Sequence, residues 1–221
     1  MNSEKKYRIL IADDHRIVRE GLRSVLEKES NIEVIGETGD GNDAVRIAKK
    51  RLPDIVIMDV SMPNLNGIEA TRQITEEIPE VRVIILSMHV DKHLIFKAFH
   101  AGARAYLLKD STSQELLEAI EAVSRNRIYV SPALGFDETR NVNDATTMLN
   151  RLAYSLLTPK ELEVLQLVAE GKPSKDIADR LRVSPKTVEK HRLRIMEKLN
   201  IHSVAELTKF AIREGVTSVE K

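Results

Sequence analysis

Short apolar runs alternate with helical patterns through the first 130 residues of the chain. Five runs have the length and the continuous apolar character of strands that are buried on both faces. Apolar residues recur at helical spacing between the runs, for example at Val18, Leu22 and Val25. Strands that alternate with helices form a parallel sheet with helices on both faces. The pattern predicts a five-stranded α/β domain over residues 1–130, with strands near 8–12, 32–36, 54–58, 81–86 and 103–108.

Cap-forming residues indicate where two helices of this region begin. Asn42 is placed to cap the helix that follows the second strand. Ser111 and Gln114 have the spacing of a capping box before the last helix of the region. We therefore expect these helices to begin directly after Asn42 and Ser111.

Hydrophobic periodicity disappears after residue 130 and does not return until Met148. Turn-forming residues such as Pro132 and Gly135 replace it. We interpret residues 131–155 as a linker, which can include a helical turn through Met148, Leu149 and Leu152. A linker of this length allows two domains either to dock or to separate.

Residues 156–221 contain four helical patterns, each with a start signal near Thr158, Ser174, Ser184 or Ser203. The first signal is complete, because Thr158 and Glu161 have capping-box spacing around a proline at the first helical position. A short second helix, a tight turn at 181–184 and a third helix form the helix-turn-helix pattern. We expect an all-α four-helix domain over 156–221.

The third of these helices has a basic outer face. Residues 184–198 carry five basic and two acidic side chains, although the chain as a whole has a net charge of zero. Val188, Ile195 and Leu199 lie on one stripe and are predicted to face the core. The opposite face can enter the DNA major groove, where Lys190 is placed to reach guanine O6 and N7. The candidate DNA contacts are Lys186, Thr187, Glu189, Lys190, His191, Arg192, Leu193, Arg194 and Lys198. For this helix taken alone, a solvated charged face is the alternative interpretation.

Composition excludes several function classes. The chain has no cysteine, so disulfides, thiol catalysis and Cys-ligated zinc are excluded. No run approaches the ~18 apolar residues of a membrane span, and the apolar run at 9–12 is too short for a signal peptide. We therefore expect a cytoplasmic protein.

Polar side chains follow the predicted strands at their carboxyl ends. Asp13 and Asp14 follow the first strand, Asp59 the third, Ser87 the fourth and Lys109 the fifth. Because the carboxyl ends of parallel strands meet at one edge, these groups should share a pocket. Three crowded carboxylates need neutralising charge, which Mg²⁺ and a lysine can supply. Such a pocket suits attack by a carboxylate on a phosphoryl group, which gives an aspartyl phosphate.

This ordered set resembles the receiver domain of two-component response regulators: Asp13-Asp14, Asp59 followed by Met62-Pro63 and Gly67, Ser87, and Lys109. The resemblance implies a doubly wound, flavodoxin-like sheet with strand order 2-1-3-4-5. It implies that Asp59 accepts a phosphoryl group from a histidine kinase and that Mg²⁺ is the cofactor. The implied Mg²⁺ ligands are Asp13, Asp14, Asp59 and the main-chain carbonyl of Ser61. Lys109 would pair with the phosphoryl oxygens, Ser87 would turn toward them, and Tyr106 would change orientation with Ser87.

A second resemblance, to the LuxR-type DNA-binding domain, rests on five segments: Leu157-Thr158-Pro159-Lys160-Glu161, Glu170-Gly171-Lys172, Ile177-Ala178, Thr187-Val188-Glu189-Lys190-His191 and Lys198-Leu199. The combination is that of the NarL/FixJ class of response regulators. It implies a transcriptional regulator that is switched by phosphorylation of Asp59 and binds promoter DNA, as a homodimer on activation. RNA polymerase is a further partner that the class allows.

Two other functions use the same residues. A phosphatase that turns over through an aspartyl phosphate would share the nucleophile, Mg²⁺ and lysine. Against it, the chain has no visible substrate-cap insertion, and Ser61 occupies the position two residues after Asp59 where an acid/base carboxylate would be needed. The other function is a regulator whose receiver works without phosphorylation. We therefore expect no enzyme activity beyond the chain's own phosphoryl transfer and autodephosphorylation.

Overall fold

The computed structural model describes residues 6–135, 156–214 and 216–217. The described residues form two compact units, one before and one after residues 136–155 in the sequence. The helical turn expected around Met148, Leu149 and Leu152 lies outside the described residues. No helix in the described part of the chain is long and apolar enough to span a membrane.

The first unit is a parallel sheet with helices on both faces, which confirms the predicted fold class. The sheet order is β2-β1-β3-β4-β5-β6. Its first five strands have the order that the resemblance implied, and all five pairings are parallel. The strands are β1 (Tyr7–Ala12), β2 (Ile32–Thr38), β3 (Ile55–Asp59), β4 (Arg82–Ser87), β5 (Ala105–Leu108) and β6 (Tyr129–Val130).

Five helices follow the first five strands in turn: α1 (Arg16–Leu26), α2 (Gly41–Arg51), α3 (Gly67–Glu77), α4 (Lys92–His100) and α5 (Ser113–Ser124). One face of the sheet packs on α1 and α5 through Ile9, Ile11 and the apolar residues of α5. Helices α2, α3 and α4 lie beside one another on the opposite face. The strands are buried on both faces for this reason, which explains their continuous apolar runs.

Two helix starts differ from the predicted ones by one or two residues. Asp40, and not Asn42, caps α2, because its carboxylate accepts from the backbone N–H groups of Asn42 and Asp43. Thr112, and not Ser111, caps α5 by accepting from the N–H of Glu115. In each case a neighbouring residue with equivalent capping chemistry takes the position.

The second unit is all α, as predicted, with α6 (Pro159–Ala169), α7 (Ser174–Leu181), α8 (Pro185–Leu199) and α9 (Val204–Arg213). The capping box between Thr158 and Glu161 is present at the start of α6. Ser184 and Ser203 cap α8 and α9 through the backbone N–H groups three residues ahead. Arg182 adopts a left-handed conformation after α7, with φ 55°, and this makes the tight turn into α8. The helix-turn-helix is therefore formed by α7, this turn and α8.

Candidate phosphoacceptor pocket and DNA-binding helix

An acidic pocket lies at the carboxyl edge of the parallel sheet. Asp13 and Asp59 are buried, with 1% and 3% of their surface exposed, whereas Asp14 is exposed. Lys109 lies between the two buried carboxylates, with its Nζ 2.7 Å from Asp13 Oδ2 and 3.0 Å from Asp59 Oδ1. One ligand atom from each of Asp13, Asp14, His15 and Asp59 lies within 4.8 Å of the others. The structure therefore brings together the three aspartates and the lysine that the sequence predicted to meet.

The pocket carries more negative than positive charge, and two of its carboxylates are buried. The pKa of Asp59 lies above its ordinary value because burial disfavours the carboxylate, an effect that Lys109 opposes and the Asp13 carboxylate increases. Burial also works to lower the pKa of Lys109, but Asp13 and Asp59 outweigh it and raise that pKa. Asp59 Oδ2 is buried and accepts no hydrogen bond from any described residue. A cation or a set of hydrogen-bond donors at Asp59 Oδ2 would stabilise this arrangement.

The loop after β3 passes very close to the back of Asp59. The N–H of Gly67 donates to the carbonyl of Val60, which folds the start of α3 over the strand end. A Cβ at Gly67 would lie 1.8 Å from the carbonyl oxygen of Asp59. Only glycine therefore fits at this position, and this close approach fixes the backbone that carries Asp59.

Ser87 and Tyr106 each form a hydrogen bond to the backbone of the same residue, His89. Ser87 is buried and its Oγ accepts from the N–H of His89 at 3.1 Å. Tyr106 is fully buried, and its hydroxyl donates to the carbonyl of His89 at 2.9 Å. Any movement of the β4–α4 loop at His89 therefore changes a hydrogen bond of both side chains.

Sequence reasoning missed two sets of contacts in the receiver, one at the pocket and one at the edge of the sheet. The sequence pattern gives no signal for His15, whose Nδ1 lies 2.6 Å from Asp14 Oδ1 and whose backbone N–H donates to Asp13 Oδ1 at 2.8 Å. Ser131 was placed in the linker, but it is buried and its hydroxyl donates to Glu115 at 2.6 Å. The pairing of Tyr129–Val130 with β5 directly before Ser131 extends the sheet beyond the five predicted strands.

Helix α8 has a buried stripe and an exposed face, as predicted. Val188, Ile195 and Leu199 are buried. The exposed face consists of Lys186, Lys190, Leu193, Arg194 and Glu197. Its three cations form no ion pair with any residue that the structure describes. They are therefore available to a ligand.

Three of the charged side chains among the predicted DNA contacts have partners inside the second unit. Glu189 accepts from Ser174 Oγ at 2.5 Å and also pairs with Arg192. Lys198 donates to Glu161 at 2.7 Å and to the carbonyl of Leu156 at 3.2 Å. Glu189 thus joins α8 to α7, Arg192 pairs with Glu189 within α8, and Lys198 joins α8 to the start of α6. Thr187 and His191 are only partly exposed, at the sides of the exposed face.

The Lys198 contact stabilises a buried carboxylate. Glu161 is 4% exposed and accepts from the backbone and the side chain of Thr158. Burial works to raise the pKa of Glu161, but Lys198 and Thr158 outweigh it and hold that pKa below the ordinary value. Removal of Lys198 would leave the buried Glu161 carboxylate without its cation, so we expect the loss of Lys198 to destabilise this unit.

Comparison with known protein families identifies both units. The sequence model of the response regulator receiver domain matches residues 9–121. That of the bacterial regulatory proteins of the luxR family matches residues 155–211. The chain is a response regulator. Its two domains are those of the NarL/FixJ class, so the resemblance found in the sequence is confirmed.

Individual relatives agree along nearly the whole chain. The response regulator UvrY of Escherichia coli strain K12 is 35% identical over 212 residues, which cover 96% of each chain. A structure of RcsB from Salmonella enterica serovar Typhimurium, bound to promoter P1flhDC in the presence of the phosphomimetic BeF3−, is 26% identical with a TM-score of 0.56. It covers 93% of this chain and 98% of that one. A structure of two RcsB dimers bound to two parallel DNAs is also 26% identical with a TM-score of 0.56, at 96% and 100% coverage. This response regulator is therefore a DNA-binding regulator of transcription.

Proposed function

We propose that this response regulator is switched by phosphorylation of Asp59 and then binds promoter DNA as a dimer. The observation that carries this proposal is the pocket in which Lys109 lies within 3.0 Å of both Asp13 and Asp59. In the phosphoryl transfer, a carboxylate oxygen of Asp59 forms the new bond to phosphorus as the bond to the donor atom breaks. The donor is the phosphohistidine of a sensor histidine kinase.

The residues of the pocket fit Mg²⁺. Asp13, Asp14 and Asp59 carry three negative charges against the single positive charge of Lys109, and the buried Asp59 Oδ2 has no donor among the described residues. The main-chain carbonyl of Ser61 completes the proposed oxygen ligands, which are of the kind that Mg²⁺ prefers. Bound Mg²⁺ would supply charge stabilisation for the phosphoryl oxygens. Lys109 provides a second positive charge, because its raised pKa keeps it protonated.

The proposed switch runs through His89. After phosphorylation, the hydroxyl of Ser87 turns to donate to a phosphoryl oxygen, and the N–H of His89 loses the acceptor that it has now. The His89 carbonyl, which accepts from Tyr106, moves with the same loop. A modification shifts a conformational equilibrium only through such differential contacts. We propose that the altered α4 side of the receiver favours a homodimer.

The DNA-binding part of the proposal rests on α8. Its exposed face carries Lys186, Lys190 and Arg194, which suit phosphates and guanine acceptors in the major groove. Relatives support the dimer, because RcsB dimers are bound to DNA in a solved structure. Glu189, Arg192 and Lys198 are assigned to positioning α8, since their charged groups have partners in the domain. A contact with RNA polymerase and a location in the cytoplasm are consistent with this function.

The test compares DNA affinity with and without phosphorylation. We expect Mg²⁺ and a small phosphodonor to raise the affinity of the wild-type chain for a selected duplex by roughly 5- to 150-fold, the usual range of a coupling free energy. Asp59→Asn should bind like the unphosphorylated wild type and gain nothing. Asp110→Asn is the matched control, because Asp110 is an exposed carboxylate next to Lys109, and it should keep the full gain. An equal gain in Asp59→Asn would contradict the proposal.

Assays on the same protein and duplexes also distinguish the proposed function from that of a phosphatase. Rapid release of phosphate from phosphomonoesters, without any selected duplex, would favour the enzyme. A gain of affinity without acyl phosphate at Asp59 would instead indicate a receiver that works independently of phosphorylation.

A further inference from the structure

Leu193 is an apolar side chain on an otherwise charged surface. It is 63% exposed, more than any other large apolar side chain that the structure describes in the second unit. It lies on the exposed face of α8, on the side opposite the buried stripe of Val188, Ile195 and Leu199. The core of the domain therefore makes no use of this leucine.

The surroundings of Leu193 leave its methyl groups available to a ligand. Lys190 and Glu197, three and four residues away, are its neighbours on the helix surface, and both are exposed. On its other side, Glu189 points its carboxylate to Ser174 and Arg192. The hydrogen-bonding groups beside Leu193 on that side thus have partners already.

We propose that Leu193 reads the 5-methyl group of a thymine in the major groove of the half-site. The inference rests on the proposed function, in which α8 enters that groove, and adds the base that this position selects. Leucine can neither donate nor accept a hydrogen bond, and the thymine methyl is the apolar group on the base edges of the major groove. At a guanine, adenine or cytosine, the leucine would instead displace water from polar atoms of the base edge. Those atoms would gain no hydrogen-bond partner in return.

The spacing of Leu193 and Lys190 supports a two-part readout. Residues three apart on a helix are separated by about 4.5 Å along its axis, close to the ~3.4 Å step between base pairs. Where α8 follows the groove, the two side chains therefore meet neighbouring or next-neighbouring base pairs. The lysine ammonium suits guanine O6 and N7, and the leucine suits the thymine methyl.

The experiment removes single methyl groups from the DNA. Duplexes selected from random sequence by the phosphorylated full-length chain are resynthesised with deoxyuridine in place of one thymine at a time. Affinities are measured by fluorescence anisotropy at fixed salt, for wild type and for Leu193→Ala. We expect one thymine in each half-site whose replacement weakens wild-type binding about fourfold, the effect of one buried methylene-sized group. Leu193→Ala should bind the thymine and deoxyuridine duplexes equally.

Val204→Ala is the matched control, because Val204 is an exposed apolar residue of α9, 43% exposed and outside the exposed face of α8. It should retain the wild-type ratio between the two duplexes, and circular dichroism should show all variants folded. Leu193→Gln provides a second variant, which should also lose the difference between the two duplexes.

If wild type binds every deoxyuridine duplex as tightly as the thymine duplex, or if Leu193→Ala keeps the ratio, Leu193 does not read a thymine, although α8 still binds DNA. If the chain selects no duplex at all, the proposed function fails together with this inference.

Discussion

Replacing Asp59 with asparagine is expected to stabilise the receiver domain while it removes the phosphoacceptor. The buried Asp59 carboxylate has one oxygen without a donor among the described residues and lies near the Asp13 carboxylate. An amide carries no charge and can donate to that neighbour. In EDTA at pH 7 we expect the free energy of unfolding to rise by roughly 1–3 kcal/mol, the usual cost of an unsatisfied buried polar group. Calorimetry of the full chain measures this change.

The stabilisation should depend on pH with a defined sign. Because the pKa of Asp59 is raised in the folded state above its ordinary value of 3.8, the folded protein binds the proton more tightly than the unfolded chain. The carboxylate therefore destabilises the wild type fully above the folded pKa and less and less as pH falls toward 3.8. The advantage of Asp59→Asn should disappear over the same range. Asp110→Asn, at an exposed site, should stay within about 0.5 kcal/mol of wild type. If the variant is instead less stable than wild type at pH 7, the attraction between Asp59 and Lys109 stabilises the fold by more than the burial of the carboxylate destabilises it.

Replacing Gly67 with alanine is expected to destabilise the receiver by about 3 kcal/mol or more. The new Cβ would lie 1.8 Å from the carbonyl oxygen of Asp59 and 2.8 Å from its carbonyl carbon. These are backbone atoms of β3, so neither can move without disturbing the strand that carries the phosphoacceptor. We therefore expect phosphorylation to slow as well, even at temperatures where the variant is folded. Chemical denaturation and the rate of phosphoryl incorporation measure the two effects.

Gly21 offers a matched control in the same domain. It lies within α1, and apart from the backbone of that helix and the two neighbouring residues, no described atom is found within 4 Å of a Cβ built at this position. Gly21→Ala should therefore leave phosphorylation unchanged and stabilise the domain by about 0.4–1 kcal/mol through the lower entropy of the unfolded chain. Equal stability losses in Gly21→Ala and Gly67→Ala would show that the close approach to Asp59 is not the cause.

The strands and the acidic pocket were predictable because one physical rule governs both. Strands covered on two faces need continuous apolar runs, and the five predicted runs lie within two residues of β1 to β5. Parallel strands bring their carboxyl ends to one edge, so Asp13, Asp59 and Lys109 meet although they are far apart in sequence. The buried stripe of α8 followed in the same way from helical periodicity.

The missed features depend on contacts that periodicity does not encode. β6 is too short to give an apolar run, because it contains only the half-buried Tyr129 and Val130. The hydrogen bond from Ser131 to Glu115 joins residues 16 positions apart and forms only because β6 pairs with β5. On α8, Lys198 carries the same charge as Lys190, and only the position of Glu161 in the folded domain distinguishes a structural lysine from one available to DNA.

The residue that carries the phosphoryl group decides whether the acidic pocket is the phosphoacceptor site. The full-length protein is incubated with a small phosphodonor, with Mg²⁺ or with EDTA, and the modified residue is identified by mass spectrometry of its peptides. We expect one phosphoryl group per chain, on Asp59, formed with Mg²⁺ and not in EDTA. Phosphoryl transfer to another residue, or incorporation at Asp59 that is equally fast in EDTA, would contradict it.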